Sequence, residues 1–351
     1  MKHKVLIVDD SPFVRRLIKD WLDASPEFEV VGCAKNGAEG VSMAAALRPD
    51  LVTLDVEMPE MNGIEALKGI MEKAPCPVVM VSSVTKQGAA YTIQALELGA
   101  VDFVTKPDGP SSLHLVHAKD ELLGKCRAAV RVKKASLRPS TAPVQRHIVK
   151  SHLAPSSSST DKVVVIASST GGPRALTALF QGLPKGFPAP MLIVQHMPVG
   201  FTDSFAKRLD QIGTVPVKEA VDGDRIVPGL ALLCRGGIHM EVTDHGTIRF
   251  NDAPSLHGVK PSADYLFKSA AKVYGSRCLG VVLTGMGRDG AAGAKMISDA
   301  KGLVLAESEE SAVIYGMPKA ACEAGAVDEQ FPIEQMASAI VSCLARRNRA
   351  A

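Results

Sequence analysis

Residues 162–174 read KVVVIASSTGGPR, an apolar run followed by two serines, a threonine, two glycines and a proline. Val163 to Ala167 are short, apolar and rich in β-branched side chains, which predicts a strand buried on both faces. Pro173 suits the first turn of a following helix. Between them Gly171 and Gly172 permit a sharp reversal, so the hydroxyls of Ser168, Ser169 and Thr170 and the N–H groups of the helix start face one small volume. A negative oxygen fits such a place. Taken alone, S-S-T-G-G also reads as an N-cap with a turn, or as a phosphate cradle. It is not the G-x-S-x-G elbow of the α/β-hydrolases.

Downstream, Met191 to Gln195 predict a second buried strand with His196 just past its end, and Leu279 to Thr284 another, followed by GMGRDG with Asp289. Between them lies a β-rich middle, VPVKEA, LALLCRGGIHMEV and TIRF, where Gly236-Gly237 suits a two-residue hairpin turn. Three parallel-type strands thus end in Ser169, His196 and Asp289, and a doubly wound sheet turns such ends toward one crevice. A hydroxyl becomes a nucleophile when a base takes its proton, imidazole titrates in the right range, and a carboxylate on the far ring nitrogen fixes the tautomer. These are the groups acyl transfer needs. Backbone donors near Thr170 and in the Gly285–Gly287 loop are candidates for an oxyanion site. One such donor is worth about 2.7–4 kcal/mol of barrier in a known protease, against about 0.3–1 kcal/mol for an exposed helix dipole. Ser168 remains a rival nucleophile, and His239 and His257 rival bases. Asp289 also reads as a helix cap, and Met286 as loop packing.

The first third alternates strand and helix patterns from KVLIVDD through VDFVTKP to a last helical run ending at Leu123. Five strands, each followed by a helix, predict an open parallel sheet covered on both faces. Strand one ends in Asp9 and Asp10, strand three in Asp55, strand four in Ser82 and Ser83, and strand five in Lys106 before Pro107. Three carboxylates at one edge call for a hard divalent cation, and all-oxygen ligation suits Mg²⁺. Asp55, central and screened by Lys106, is the carboxylate placed to accept a phosphoryl group.

Between these regions, residues 124–160 turn to Lys, Arg, Pro and Ser, with no acidic residue between Glu121 and Asp161. This predicts a solvated basic tether separating a domain at 1–123 from one at 161–351. The whole chain has 351 residues, 46% of them hydrophobic, and a formal charge of +3. Two separate cores are affordable at that length, a disordered chain is excluded, and the small charge gives no reason to expect nucleic-acid binding. Seven scattered cysteines without a C-x-x-C pair point to a reducing compartment. Asp9 and Asp10 cut the first apolar run too soon for a secretory signal, and no run approaches the roughly 20 residues that cross a bilayer. A soluble, cytoplasmic protein without membrane insertion is expected.

The first third resembles the receiver domain of two-component response regulators, through VDD at Asp9 and Asp10, D-x-x-M-P from Asp55 to Pro59, M-N-G from Met61 to Gly63, the Ser82 position and K-P at Lys106-Pro107. That resemblance implies a histidine kinase as phosphodonor, Asp55 as phosphoacceptor, Mg²⁺ held by Asp9, Asp10 and Asp55, and Ser82 and Lys106 as switch residues. The remainder, through ASSTGG at Ser169, QHMP at His196, FTDSFAKRL and LTGMGRDGA at Asp289, is similar to the catalytic domain of the chemotaxis protein-glutamate methylesterase family. It implies hydrolysis of glutamate methyl esters, and deamidation of selected glutamines, on chemoreceptor cytoplasmic helices, giving sensory adaptation in chemotaxis. In that family the receiver covers the active site until phosphorylation relieves it. Ser169 is then the nucleophile, His196 the general base and Asp289 the orienting acid, with Thr170 and Met286 lining the site and no cofactor in the catalytic domain. The chain departs from the family in Ala167-Ser168, where Gly-Ala commonly precedes the nucleophile. A monomer is expected. The competing reading is a non-enzymatic response regulator whose second domain only binds a partner.

Overall fold

The structure, a computed structural model, describes residues 1–106, 112–132 and 161–345. The chain divides into two compact units, Met1–Thr141 and Ala142–Ala351, and the division falls outside the described residues.

The first unit runs β1 (His3–Val8), α1 (Pro12–Asp23), β2 (Phe28–Ala34), α2 (Gly37–Leu47), β3 (Leu51–Asp55), α3 (Gly63–Lys73), β4 (Val78–Ser82), α4 (Lys86–Glu97), β5 (Asp102–Thr105) and α5 (Ser112–Ala129). Its five strands lie in the order β2-β1-β3-β4-β5, all parallel. Every residue of β3 and β4 is buried, as a sheet covered on both faces requires. The starts of α1, α2 and α3 are capped locally. Ser11 accepts from Val14 N–H, Asn36 from Glu39 N–H, and Asn62 forms a capping box with Glu65.

The terminal helix is longer than the sequence pattern predicts. It passes Leu123 and continues to Ala129, burying Leu122, Cys126 and Ala129 on one face. Lys125, which reads as the start of a solvated tether, instead lies against the sheet, paired with Asp102 at 3.5 Å and Glu121 at 2.7 Å. A paired lysine can cover apolar surface with its stem, so a basic residue did not end the helix. Residues 133–160 of the predicted linker, and Pro107, lie outside the described residues.

The second unit runs β6 (Val163–Ser168), α6 (Gly172–Gly182), β7 (Met191–Gln195), α7 (Thr202–Ile212), β8 (Val217–Glu219), β9 (Ala231–Leu233), β10 (His239–Val242), β11 (Ile248–Asn251), α8 (Ala263–Tyr274), β12 (Cys278–Val282), α9 (Ala291–Asp299), β13 (Leu303–Glu307), α10 (Met317–Glu323), β14 (Glu329–Phe331) and α11 (Ile333–Ala345). Seven strands form one sheet in the order β14-β13-β12-β6-β7-β9-β8. All six pairings are parallel. The chain winds outward from β6 through β7 on one side and from β12 through β13 on the other. The winding therefore reverses between β6 and β12, where open α/β sheets hold their ligands. Leu176, Leu179 and Phe180 of α6 are fully buried, each contributing about 1.5–3 kcal/mol.

The predicted hairpin turn at Gly236-Gly237 is not there. β9 is wholly buried and joins the main sheet, with Leu232 beside Leu192 of β7. The hairpin is formed instead by β10 and β11, with Met240 opposite Phe250. Its turn is closed by Thr243 N–H on Thr247 O at 2.9 Å, with Gly246 at φ 70°. Gly236 serves a close approach, since a Cβ there would lie 2.6 Å from the Pro198 carbonyl carbon. Among the described residues all seven cysteines are free, and no helix is long and apolar enough to cross a membrane.

Gly63 offers the sharpest test of this packing, because a Cβ there would lie 2.1 Å from the backbone oxygen of Asp55. Gly63→Ala is expected to destabilise the first unit by about 1–3 kcal/mol, read from its transition in urea denaturation followed by circular dichroism. An unchanged transition would show that the α3 start has room to move.

Candidate active site

β6 and β7 pair with Ser168 opposite Gln195, so Ser169 and His196 are the next residues past two adjacent strand ends. The turn after β6 is fixed from several sides. Ser169 N–H donates to Thr284 O at 3.0 Å, while Ser169 O accepts from Gly172 N–H at 2.8 Å and from Gln195 Nε2 at 2.9 Å. Gly171 takes φ 78°, and a Cβ on Gly172 would lie 2.1 Å from Gln195 Oε1. The two glycines thus do different work. Gly171 supplies a left-handed turn, and Gly172 lets the helix start close on Gln195.

These bonds separate the two serines. Ser168 is fully buried and its hydroxyl donates to Gln195 Oε1 at 2.7 Å, so its proton is committed in the interior. Ser169 is half-buried, and its side chain faces the loop after β12, where a Cβ on Gly285 would lie 2.8 Å from Ser169 Cβ.

His196 Nε2 lies 2.7 Å from Asp289 Oδ2. The carboxylate fixes the proton on Nε2 and leaves Nδ1 as the basic nitrogen. The ring is therefore used in the opposite sense to the chymotrypsin arrangement, in which the aspartate holds Nδ1. Asp289 is almost fully buried and closely held. It accepts from Ser262 Oγ at 2.5 Å, Ala263 N–H at 2.6 Å and Asp264 N–H at 3.3 Å. The last two groups open α8, so Asp289 caps a helix that is distant in sequence, with its charge at the positive end. Burial alone would raise its carboxyl. The bonds from His196, Ser262 and Ala263 outweigh burial and hold it below the usual carboxylate range.

The rival histidines have other partners. His239 Nδ1 accepts from Ser262 N–H at 3.0 Å, its Nε2 donates to Pro254 O at 3.2 Å, and its ring stacks on Tyr265 at 4.1 Å. Burial pushes its pKa down, and both nitrogens are already engaged, Nδ1 in holding Ser262, the residue that grips Asp289, and Nε2 on Pro254. His257 Nε2 lies 3.3 Å from Asp264 Oδ2, whose other oxygen accepts from Gly293 N–H at 2.6 Å.

Thr170 is buried, and Met286 is 48% exposed at the tip of the loop after β12. Of the loop donors the sequence offers, Gly285 N–H is already bonded to Ile314 O at 3.0 Å, which leaves Met286 and Gly287. Sequence reasoning missed Ser262, Gln195, Thr284 and Glu307. Glu307, 1% exposed, accepts from Thr284 N–H at 2.8 Å and Ser311 Oγ at 2.9 Å. The only sequence signal for it is a carboxylate ending an apolar strand. A groove on β10, β11 and α8, lined by Glu241, His245, Arg249 and Lys268, contains none of these groups.

In the first unit Lys106 Nζ lies 2.8 Å from Asp55 Oδ2 and 3.2 Å from Asp9 Oδ2. Asp9, Asp10 and Asp55 each offer an oxygen within 4.8 Å of the others. The buried Oδ2 atoms of Asp9 and Asp55 are ion-paired with Lys106 yet make no well-aligned hydrogen bond. Burial, and then the neighbouring Asp9, pushes Asp55 up to about 7. Three carboxylates against one ammonium leave excess negative charge and open oxygen lone pairs, which fits a hard divalent cation. Ser82 is buried at the end of β4, with its hydroxyl donating to Ser83 O at 3.2 Å and accepting from Thr92 Oγ1 at 2.8 Å.

A pH test follows from Glu307, whose carboxyl burial pushes up to about 7 from 4.5. A raised carboxyl contributes stability that is present in full below about pH 4.5 and is lost as pH rises through about 7. The loss is on the order of 3 kcal/mol. Glu307→Gln should therefore flatten the stability of the second unit between pH 5 and 8, read from denaturant midpoints. A slope equal to the parent's would show that Glu307 ionises normally.

A family model described as CheB methylesterase matches residues 164–340, and one described as response regulator receiver domain matches residues 5–117. The protein-glutamate methylesterase/protein-glutamine glutaminase of Pyrococcus abyssi is 46% identical over 343 residues, covering 97% of this chain and 93% of that one. The protein of the same name from Geobacillus kaustophilus is 46% identical over 346 residues, covering 97% and 98%. The crystal structure of the Thermotoga maritima CheB methylesterase catalytic domain aligns with a TM-score of 0.50 at 41% identity, covering 52% of this chain and 97% of that one. By these family models and relatives, the chain belongs to the CheB methylesterase family, with a receiver domain ahead of its methylesterase domain.

Proposed function

We propose that the protein hydrolyses γ-methyl esters of glutamate, and deamidates selected glutamines, on the cytoplasmic helices of chemoreceptors. The 2.7 Å contact between His196 and Asp289, at the strand edge that also carries Ser169, is the observation that carries this reading. Ser169 Oγ attacks the ester carbonyl while His196 Nδ1 takes its proton, and Asp289 stabilises the resulting imidazolium. N–H groups of Thr170 and of the Met286–Gly287 loop receive the oxyanion. Methanol leaves with the proton held by His196. Water then attacks the acyl-enzyme with His196 again as base, freeing glutamate and restoring Ser169. With a glutamine side chain the leaving group is ammonia. Met286, half-exposed at the rim, offers apolar surface to the incoming helix.

The receiver is the regulatory input. Asp9, Asp10 and Asp55 would hold Mg²⁺, which supplies charge neutralisation for an incoming phosphoryl group. A histidine kinase donates that group to Asp55, and Lys106, already ion-paired with Asp55, reads the change. The phosphorylated form is the faster esterase. The setting is the cytoplasm, where receptor helices and kinase are both reachable.

Two experiments test these steps. Methanol release from methylated receptor membranes should be abolished in Ser169→Ala and fall about 10³–10⁴-fold in Asp289→Asn, which disturbs the tautomer of His196. Release at the parent rate by either variant would remove that residue from the mechanism. Acetyl phosphate with Mg²⁺ should raise the parent's rate, and Asp55→Asn or chelation of the metal should prevent the rise. Full activation of Asp55→Asn would place the acceptor elsewhere.

A further inference from the structure

Thr284, just past the end of β12, has no part in the chemistry above, yet it holds the nucleophile turn at two points. It is fully buried. Its carbonyl accepts Ser169 N–H at 3.0 Å, and its hydroxyl donates to Thr170 O at 2.9 Å. The same hydroxyl accepts Ile314 N–H at 2.9 Å, and Thr284 N–H donates to Glu307 Oε2 at 2.8 Å.

The peptide before Ser169 and the peptide after Thr170 are thus tied to one side chain and its own backbone. The peptide between them carries Thr170 N–H, and its carbonyl is held by Gly172 N–H at 2.8 Å and Gln195 Nε2 at 2.9 Å. With its neighbours fixed on both sides, this amide has no freedom to swing. Packing leaves no slack either. A Cβ on Gly171 would lie 2.5 Å from Val313 Cβ and 3.1 Å from Thr284 Oγ1.

Glu307 anchors the arrangement from the next strand. Its second oxygen accepts from Ser311 Oγ at 2.9 Å, and Ser311 Oγ in turn accepts Ile333 N–H at 2.9 Å. Thr284 is therefore bonded to the nucleophile turn on one side and to a buried carboxyl on the other.

We propose that Thr284 and Glu307 are positioning residues for ester hydrolysis: they aim Thr170 N–H at the developing oxyanion and fix the backbone from which Ser169 attacks. This rests on the reading of Ser169 as nucleophile. Donors aimed before the reaction need no reorganisation during it, and a displacement of about 1 Å can cost about a hundredfold. The loss belongs in kcat, because the oxyanion exists only beyond the ground state.

The test uses the full-length protein, methanol release from methylated receptor membranes, and a thermal midpoint for each variant. Thr284→Val keeps the shape and removes the hydroxyl. It is expected to lower kcat about 10- to 100-fold with KM within about threefold. Thr284→Ser restores the hydroxyl and should return kcat to within about threefold of the parent. Glu307→Gln keeps an acceptor for Thr284 N–H and should stay within about fivefold, whereas Glu307→Ala should fall with Thr284→Val. Parent-like kcat in Thr284→Val, or losses matched by the unfolded fraction at the assay temperature, would overturn the proposal. A parent protein that releases no methanol would remove the esterase reading and this proposal with it, whereas an active parent with an inactive Ser169→Ala isolates the proposal for its own test.

Discussion

The buried carboxylate of Asp289 is the constraint on which the second unit depends. A negative charge there survives only because His196, Ser262 and the first N–H groups of α8 converge on its two oxygens. Removing one partner of such a buried charge costs about 3–5 kcal/mol. The segments that supply those partners are accordingly fixed in turn. His239 on β10 holds Ser262 N–H, and Ser269 on α8 accepts Val242 N–H from the same strand at 3.0 Å. The small hairpin thus supports the helix whose N-terminus supports the acid.

Both units meet one electrostatic problem, that of concentrating charge at the carboxyl ends of parallel strands, and they solve it differently. In the first unit burial and the neighbouring Asp9 raise Asp55 to about 7, and Lys106, shared between Asp9 and Asp55, does not offset them, which leaves excess negative charge for a cation. In the second, a helix N-terminus and a histidine leave Asp289 fully compensated and its carboxyl lowered. An under-compensated carboxylate suits a group that gains a phosphate. A fully compensated one suits a group whose charge must stay fixed while a neighbouring histidine gains and loses a proton.

The sequence disclosed what depends on local pattern. Continuous apolar runs gave the buried strands, and residues at their carboxyl ends gave Asp9, Asp55, Lys106, Ser169 and His196, because parallel sheets place every such end on one edge. Asp289 was found the same way, seven positions beyond Val282 of β12. The residue pattern alone left Ser168 and Ser169 open and only the family resemblance chose Ser169; the structure adds that the Ser168 hydroxyl turns inward to Gln195. The supports were hidden because each is a long-range contact made by an ordinary residue. Glu307 reads as the last residue of a strand, and Lys125 as the start of a tether. The glycine pair at Gly236-Gly237 misled for a related reason: Gly236 serves close passage beside Pro198 and Gly237 a left-handed backbone, not a hairpin turn.

The central claim is that Ser169 is the hydroxyl activated by the His196–Asp289 pair. Treating the full-length protein with a fluorophosphonate and mapping the adduct by fragment mass spectrometry tests this most directly. The account predicts one adduct, on Ser169, formed far more slowly in His196→Ala. An adduct on Ser168, or labelling of Ser169 at an unchanged rate without the imidazole, would contradict it.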